Sequence, residues 1–523
     1  MQINPSIEQL QQYEKQDYNV IPLWTEILAD LETPVSCFLK IKNHLKDSSP
    51  VFLLESVEGG EKLGRYSLIG LNPAALLTIK DNKSSIQSFW KETEYLQELK
   101  LNGNPFDDLQ LLIDEFKSPA NILPHSASGL VGALAYDSVR FIEPINNLKV
   151  ESNYPEAVFV VLGDLIVFDN LSRTIRLITN VFCKNQQALD FPLTRGTEGV
   201  SLEKASERLE NLKKIFLTSL KEKDSELIST NFLQNNENIN DWESNTTKSK
   251  FIRVIEEAKE RIRDGDIFQI VLSQQLKTKL KNNLNPFYIY RLLRSLNPSP
   301  YLFYFDFLDF QIIGSSPEVM VKSNAYEEKT PRTAILRPIA GTYRRGKSDK
   351  EDEELAQKLK QDPKELAEHL MLIDLARNDL GRVAVPGSVR LSELMIVEKY
   401  SHVLHLVSEV ECKIEDGKSS IDLLKAVFPA GTLSGAPKVK AMQIIADLEP
   451  SARGFYGGCV GHIGFDGSVN TAMTIRTVLL KDKVVRLQAG AGIVYDSDPE
   501  KEYQETLNKG AALLKVIEQV ERG

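Results

Sequence analysis

The sequence predicts an α+β fold with antiparallel sheets, and three observations carry that reading. Asp466-Gly467 separates V-G-H-I-G-F from S-V-N-T-A-M-T-I-R-T-V, and an Asp-Gly pair between two β-rich runs is a tight-hairpin signal. A further run, V-V-R-L-Q-A-G-A-G-I-V, follows at once, so strands succeed one another without intervening helices. Regular strand–helix–strand alternation is missing along the chain, which argues against a doubly wound parallel sheet.

Residues 1–195 read as an N-terminal lobe of helices and strands. V-F-L-L-E-S-V (51–57) and A-V-F-V-V-L-G-D-L-I-V-F-D (157–169) are its clearest β segments, the second a continuous buried run. Residues 196–247 shift to Lys, Glu, Asn, Ser and Thr and read as a helix followed by a polar connection. Residues 248–523 form the C-terminal domain. It opens on a capped amphipathic helix that Gly265 ends, and the strand I-F-Q-I-V-L-S-Q (267–274) follows. In the strand after the hairpin, Val469, Met473 and Ile475 share one face, with Ala472, Thr474 and Arg476 on the other. Gly490-Ala491-Gly492 inside a strand marks a bulge or a place where a ligand approaches the backbone. No internal repeat of solenoid length is visible.

Composition excludes several function classes. A chain of 523 residues exceeds one ordinary core. Its net charge of −10 argues against nucleic acid or an anionic membrane as main partner. Cys37, Cys183, Cys412 and Cys459 lie far apart without a C-x-x-C pair, as expected in a reducing compartment without structural zinc. No apolar run reaches the roughly 18–20 residues of a membrane span, and the N-terminus lacks a basic-then-apolar signal. A cytoplasmic protein is expected.

Two short helices open alike. D-P-K-E-L-A-E-H carries Glu365 and Glu368 after Asp362-Pro363, and D-P-E-K-E-Y-Q-E carries Glu502 and Glu505 after Asp498-Pro499. Asp caps free N–H groups and Pro fits the first helical position. Residues at i and i+3 share one helix face, so each helix presents two carboxylates together. Two such faces brought together suit Mg²⁺, a hard ion that takes oxygen ligands and keeps several waters.

The segments around these helices are I-F-Q-I-V-L-S-Q (267–274), N-P-S-P-Y-L-F-Y (297–304), G-S-S-P-E (314–318), R-P-I-A-G-T (337–342), L-M-L-I-D-L-A-R-N-D-L-G-R-V (370–383), G-T-L-S-G-A-P-K (431–438) and Q-A-G-A-G-I-V (488–494). In this order they resemble the chorismate-utilising enzymes, and within them the anthranilate synthase large subunits. The resemblance starts near residue 15 and is dense after residue 250. It implies a β-sandwich core with helices outside, a smaller regulatory lobe, and the addition of ammonia to chorismate with loss of pyruvate. It implies Glu368 and Glu505 as direct Mg²⁺ ligands, with Glu365 and Glu502 acting through water or supporting the direct ligands from behind. Arg476 and Tyr456 would hold the enolpyruvyl arm, and Gly490, Ala491 and Gly492 would donate backbone N–H groups. Gly341, Thr342, Thr432 and Lys509 match other substrate positions. His405, rather than His402 on the opposite strand face, matches the acid/base position, and an imidazole titrates near neutrality. Glu318 matches the general acid for the leaving C4 hydroxyl, a role that needs a raised pKa.

Two absences separate family members. Gln269 stands where water-adding relatives carry a Lys, and an amide cannot activate water. Ala340 stands where aminodeoxychorismate synthases carry a nucleophilic Lys. Aminodeoxychorismate synthesis, or binding of chorismate or tryptophan without catalysis, are the alternative readings. The resemblance also implies a tryptophan feedback pocket at Glu55, Ser56, Pro300, Tyr301 and Leu302. Its edge departs from the family at Leu63, with Arg65 or Tyr66 where some members use a Lys. Cys459 in G-G-C-V-G is not the G-x-C-x-G elbow of a glutaminase. Ammonia is therefore expected from solution or from a separate glutamine amidotransferase subunit in a hetero-oligomer.

Overall fold

A computed structural model describes residues 2–14, 16–45, 48–56, 65–120, 127–183, 202–221, 242–281, 285–327, 330–400 and 403–522. Two antiparallel sheets of 12 and 11 strands pack face to face. In the larger, Val51–Glu55 pairs with Tyr301–Asp306 at the centre. On one side follow Tyr66–Leu71, Asp164–Asp169, Thr174–Phe182 and Val20–Leu28. On the other follow Gln311–Ser316, Thr477–Lys481, Val484–Ile493 and Gln269–Lys279. In the second sheet Gly129–Leu134 meets Cys459–Gly464, flanked by Ala157–Val161, Ala75–Lys80 and Lys83–Ser88 on one side. Val469–Met473, Val319–Ser323, Thr333–Leu336, Val403–Lys413 and Ile339–Arg344 lie on the other. Phe303, Phe305, Ile312 and Leu479 of the first sheet and Val131, Ala133, Val460 and Ala472 of the second form the core between them. The α+β sandwich expectation is met.

Read outward from the two central pairs, the strand order on the N-terminal side recurs on the C-terminal side. The two halves of the chain therefore repeat one topology, and each sheet is completed by both. Residues 1–195 and 248–523 divide the sequence but do not form separate sheets. Within the connection, Leu202–Phe216 is a helix whose Leu209, Leu212 and Ile215 pack into the core outside the first sheet. Residues 222–241 lie outside the described residues.

The chain crosses between the sheets at Asn72–Ala74, Leu162-Gly163, Pro317-Glu318 and Thr474–Arg476. Two expected strands are broken by these corners. The 157–169 run is two strands, one in each sheet, because a Cβ at Gly163 would lie 2.1 Å from the Asn72 carbonyl and the chain turns there. The strand from 469 stops at Met473, and Arg476 has a φ of 51°, a backbone state that side chains other than Gly rarely adopt. The odd/even face assignment for Ile475 and Arg476 fails for that reason.

The C-terminal half carries a long insertion between Leu336 and Cys459, which holds both Pro363–Gly381 and Val403–Lys413. The acidic helices are longer than expected, at 19 residues for Pro363–Gly381 and 24 for Pro499–Arg522. Their starts are as predicted. The Asp362 carboxylate accepts from the N–H groups of Lys364 (3.0 Å) and Glu365 (3.3 Å). Asp498 accepts from Glu500 (2.9 Å) and Lys501 (3.2 Å). The four cysteines are free thiols. No helix among the described residues is long and apolar enough to cross a membrane.

Candidate active site

Two of the four corners carry candidate site residues. Pro317-Glu318 and Thr474–Arg476 are tied together: the Ser315 N–H donates to the Arg476 carbonyl (3.1 Å) and the Met473 N–H to the Glu318 carbonyl (3.0 Å). The Glu318 carboxyl is buried, and its Oε1 has no partner among the described residues. Burial pushes it up to about 8, opposed only in part by the Thr432 hydroxyl and the Lys509 ammonium. It is a neutral acid at pH 7. Arg476 is half-buried with no carboxylate partner among the described residues, and desolvation lowers its pKa. An uncompensated guanidinium there fits an incoming carboxylate.

The neighbouring strands complete the wall. Beyond Leu487 the strand Val484–Ile493 has lost its partner Thr477–Lys481, and the edge it exposes carries the Gly490 carbonyl, which accepts from Lys509 Nζ (3.1 Å). Its register with Gln269–Lys279 is unbroken through Gly490 and Gly492, so the glycines mark close approach rather than a bulge. A Cβ on Gly490 would lie 2.7 Å from the Tyr456 hydroxyl, and one on Gly492 2.8 Å from Gln269 Nε2. Ala491, between them, turns its methyl into the apolar cluster with Ile270 and Leu272 on the opposite face, so its side chain is not in the site. Thr432, with Glu318 and Met473, lines a small cleft of about 40 Å³.

His405 lies on Val403–Lys413, opposite Thr342 of Ile339–Arg344. Its Nδ1 is 3.0 Å from the Gly341 carbonyl. A carbonyl only accepts, so Nδ1 carries a proton, and whenever the ring is neutral its lone pair is on Nε2. The Tyr400 ring packs edge-on at 5.4 Å. Gly341 sits at a register break with φ 65°, and a Cβ there would lie 2.9 Å from Glu365 Oε2. His402 and Leu63 lie outside the described residues.

The two acidic helices converge. Burial raises the Glu365 carboxyl first, then the charge of Glu368, with Glu505 also contributing. Glu368 is raised by burial and by Glu505, while its Oε1 accepts from Gln269 Nε2 (3.4 Å). Glu502 is raised by burial and by Glu505. Lys509 pairs with Glu505 at 2.7 Å. Among the described residues no three carboxylates close on a single point. The repulsion among these carboxylates is what a hard cation such as Mg²⁺ would relieve.

The tryptophan residues are less united than expected. Val51–Glu55 pairs with Tyr301–Asp306, and Glu55 lies directly opposite Leu302. Glu55 is buried with Tyr290 Oη (2.5 Å) and Arg294 Nε (2.8 Å), on the face of the sheet that Leu302 shares. Tyr301 points the other way, its hydroxyl 3.3 Å from Asn470 Oδ1 of the second sheet. Pro300 is buried beside it. Strand alternation therefore splits the set: the Glu55 side chain cannot meet an amino group held on the Tyr301 face. The Ser56 hydroxyl is buried without a partner among the described residues.

Structural partners missed in the sequence include Lys438, whose ammonium is 2.8 and 2.7 Å from the buried Asp379 carboxylate oxygens. Both stand inside quoted motifs, G-A-P-K and R-N-D, which was the available signal.

A model of chorismate binding enzymes matches residues 49–515. The anthranilate synthase component 1 of Aquifex aeolicus is 43% identical over 99% of this chain and 98% of its own length. That of Synechocystis is 44% identical over 96% of this chain and 97% of its own. The crystal structure of anthranilate synthase component I from Streptococcus pneumoniae superposes with a TM-score of 0.72 at 30% identity, covering 93% of this chain and 99% of that one. The corners, the acidic helices and these likenesses agree: the chain belongs to the chorismate-binding enzyme family.

Proposed function

We propose that this chain is an anthranilate synthase component 1, converting chorismate and ammonia into anthranilate, pyruvate and water. The observation that carries the reading is Glu318, a buried carboxyl kept neutral to about pH 8, on a corner that main-chain hydrogen bonds tie to the corner carrying Arg476. Arg476 and the Tyr456 hydroxyl hold the enolpyruvyl carboxylate. Glu368 and Glu505, with Glu365 and Glu502 around them, would hold Mg²⁺, which supplies positive charge for the ring carboxylate. Ammonia forms the C2–N bond, the ring double bonds shift, and the C4–O bond breaks as Glu318 gives its proton to the leaving hydroxyl. His405 Nε2 then takes the C2 proton, and the C3–O bond breaks to release pyruvate and an aromatic ring. Gln269 holds Glu368 and offers no base for water, and Ala340 offers no amine nucleophile. We read the protein as cytoplasmic, supplied with ammonia by a glutamine amidotransferase in a hetero-oligomer and inhibited by tryptophan. Product chromatography tests the reading: anthranilate is expected, and aminodeoxychorismate or isochorismate as the end product would overturn it.

Two further results are expected. His405→Ala should slow elimination more than amination, so that the aminated intermediate builds up in the chromatogram; equal loss of both steps would assign His405 to binding or folding. Ser56→Phe, by filling the space around the buried Ser56 hydroxyl, should relieve tryptophan inhibition with uninhibited turnover retained. Feedback of this kind needs two states of unequal affinity, typically shifting chorismate affinity about 5–150-fold. Chorismate saturation with and without tryptophan reads it, and unchanged sensitivity would place the effector elsewhere.

A further inference from the structure

Tyr456 rides on the segment 453–458, whose glycines take backbone states that need them: Gly454 has φ 57° and Gly457 φ 78°. Three groups from the N-terminal half grip this segment. The Asp137 carboxylate, 1% exposed, accepts from the Gly454 N–H (3.2 Å) and from the Glu151 N–H (2.9 Å). The Tyr136 N–H donates to the Gly454 carbonyl (2.7 Å). The Tyr136 ring lies where a Cβ on Gly457 would be 3.3 Å away. From the other side Arg453 is locked by Glu449 and by the carbonyls of Leu433 (2.6 Å) and Val271 (2.8 Å). The segment in turn braces the second corner: the Gly457 N–H donates to the Thr474 carbonyl (3.1 Å) and the Thr474 N–H to the Gly458 carbonyl (2.9 Å), two residues before Arg476.

We propose that Asp137 is a positioning residue for Tyr456 and Arg476, so that the N-terminal half completes the site for the substrate's enolpyruvyl carboxylate. This rests on the reading of Tyr456 and Arg476 as the holders of that arm. A buried carboxylate collecting two main-chain N–H groups fixes their geometry, because removing it leaves both donors unsatisfied. An amide in its place keeps an oxygen acceptor for Gly454.

The test is calorimetric binding to the full chain, which does not depend on turnover. Asp137→Ala is expected to weaken chorismate binding by about tenfold or more, the scale of one or two lost buried hydrogen bonds. Benzoate has a ring carboxylate but no enolpyruvyl arm, and its affinity should be unchanged. Asp137→Asn should restore most of the chorismate affinity. Should the alanine variant fail to fold by circular dichroism, Asp137→Ser, too short to reach Gly454, gives the same reading. Wild-type affinity for chorismate in the variant, or an equal loss for benzoate, would overturn the proposal. A wild-type chain that binds chorismate normally yet makes no anthranilate would instead overturn the reaction assigned above.

Discussion

Glu318→Gln should bind chorismate and turn it over about 10²–10⁴-fold more slowly, the range for losing a positioned general acid. The amide keeps the shape and cannot give a proton to the leaving hydroxyl. The pH profile gives the sign. Burial holds the carboxyl protonated up to about 8, so at a constant concentration of free ammonia wild-type kcat/KM should be level below that value and fall above it. The variant should lack that limb. Stability should move the other way. Between about 4.5 and 8 the unfolded chain ionises this carboxyl while the folded chain keeps it neutral, so the wild type loses stability as pH rises through the window. Glu318→Gln has no such loss, and its Tm relative to wild type should rise from pH 5 to pH 8. A variant with wild-type turnover would remove Glu318 from the chemistry.

Glu368→Gln or Glu505→Gln should cut metal-dependent activity nearly as severely. Burial first, and then neighbouring carboxylates with Glu505 among them, raise the pKa values of Glu365, Glu368 and Glu502, an arrangement a cation relieves. Losing one charge should raise the Mg²⁺ concentration for half-maximal activity by at least the roughly 10–100-fold typical of losing an outer partner of a metal. Apo stability should hold or improve, since like charges are removed. Glu505→Gln also frees Lys509, so its effect on chorismate affinity should be the milder one. Mg²⁺ titrations followed by activity and by calorimetry decide it; wild-type metal affinity in both variants would strike these residues from the ligand set.

Local chemistry made much of this legible. Asp362-Pro363 and Asp498-Pro499 cap the helices they promised, because a cap is decided within four residues. Asp466-Gly467 turns its hairpin for the same reason. Long-range geometry was not legible. Arg476 reads as one more strand residue, and only the partner strands show that the chain leaves one sheet for the other beside it. Glu55 and Tyr301 stand in the same expected pocket, yet the pleat sends them to opposite faces, and Arg294, 239 positions away from Glu55, claims its carboxylate. The repeated strand order is written in topology rather than in residues. Asp137 carries no motif at all; the glycines at 454 and 457 were the only sign that something must hold that segment.

On the function proposed above, this chain alone holds the whole site for amination and elimination and needs only a source of ammonia. Purified chain, with no second protein, should be given chorismate, Mg²⁺ and an ammonium salt while anthranilate fluorescence and pyruvate are followed together. Anthranilate and pyruvate are expected to appear in equal amounts from the first minutes. Chorismate consumed into a non-fluorescent aminated product without pyruvate, or chorismate left untouched, would contradict the proposed function.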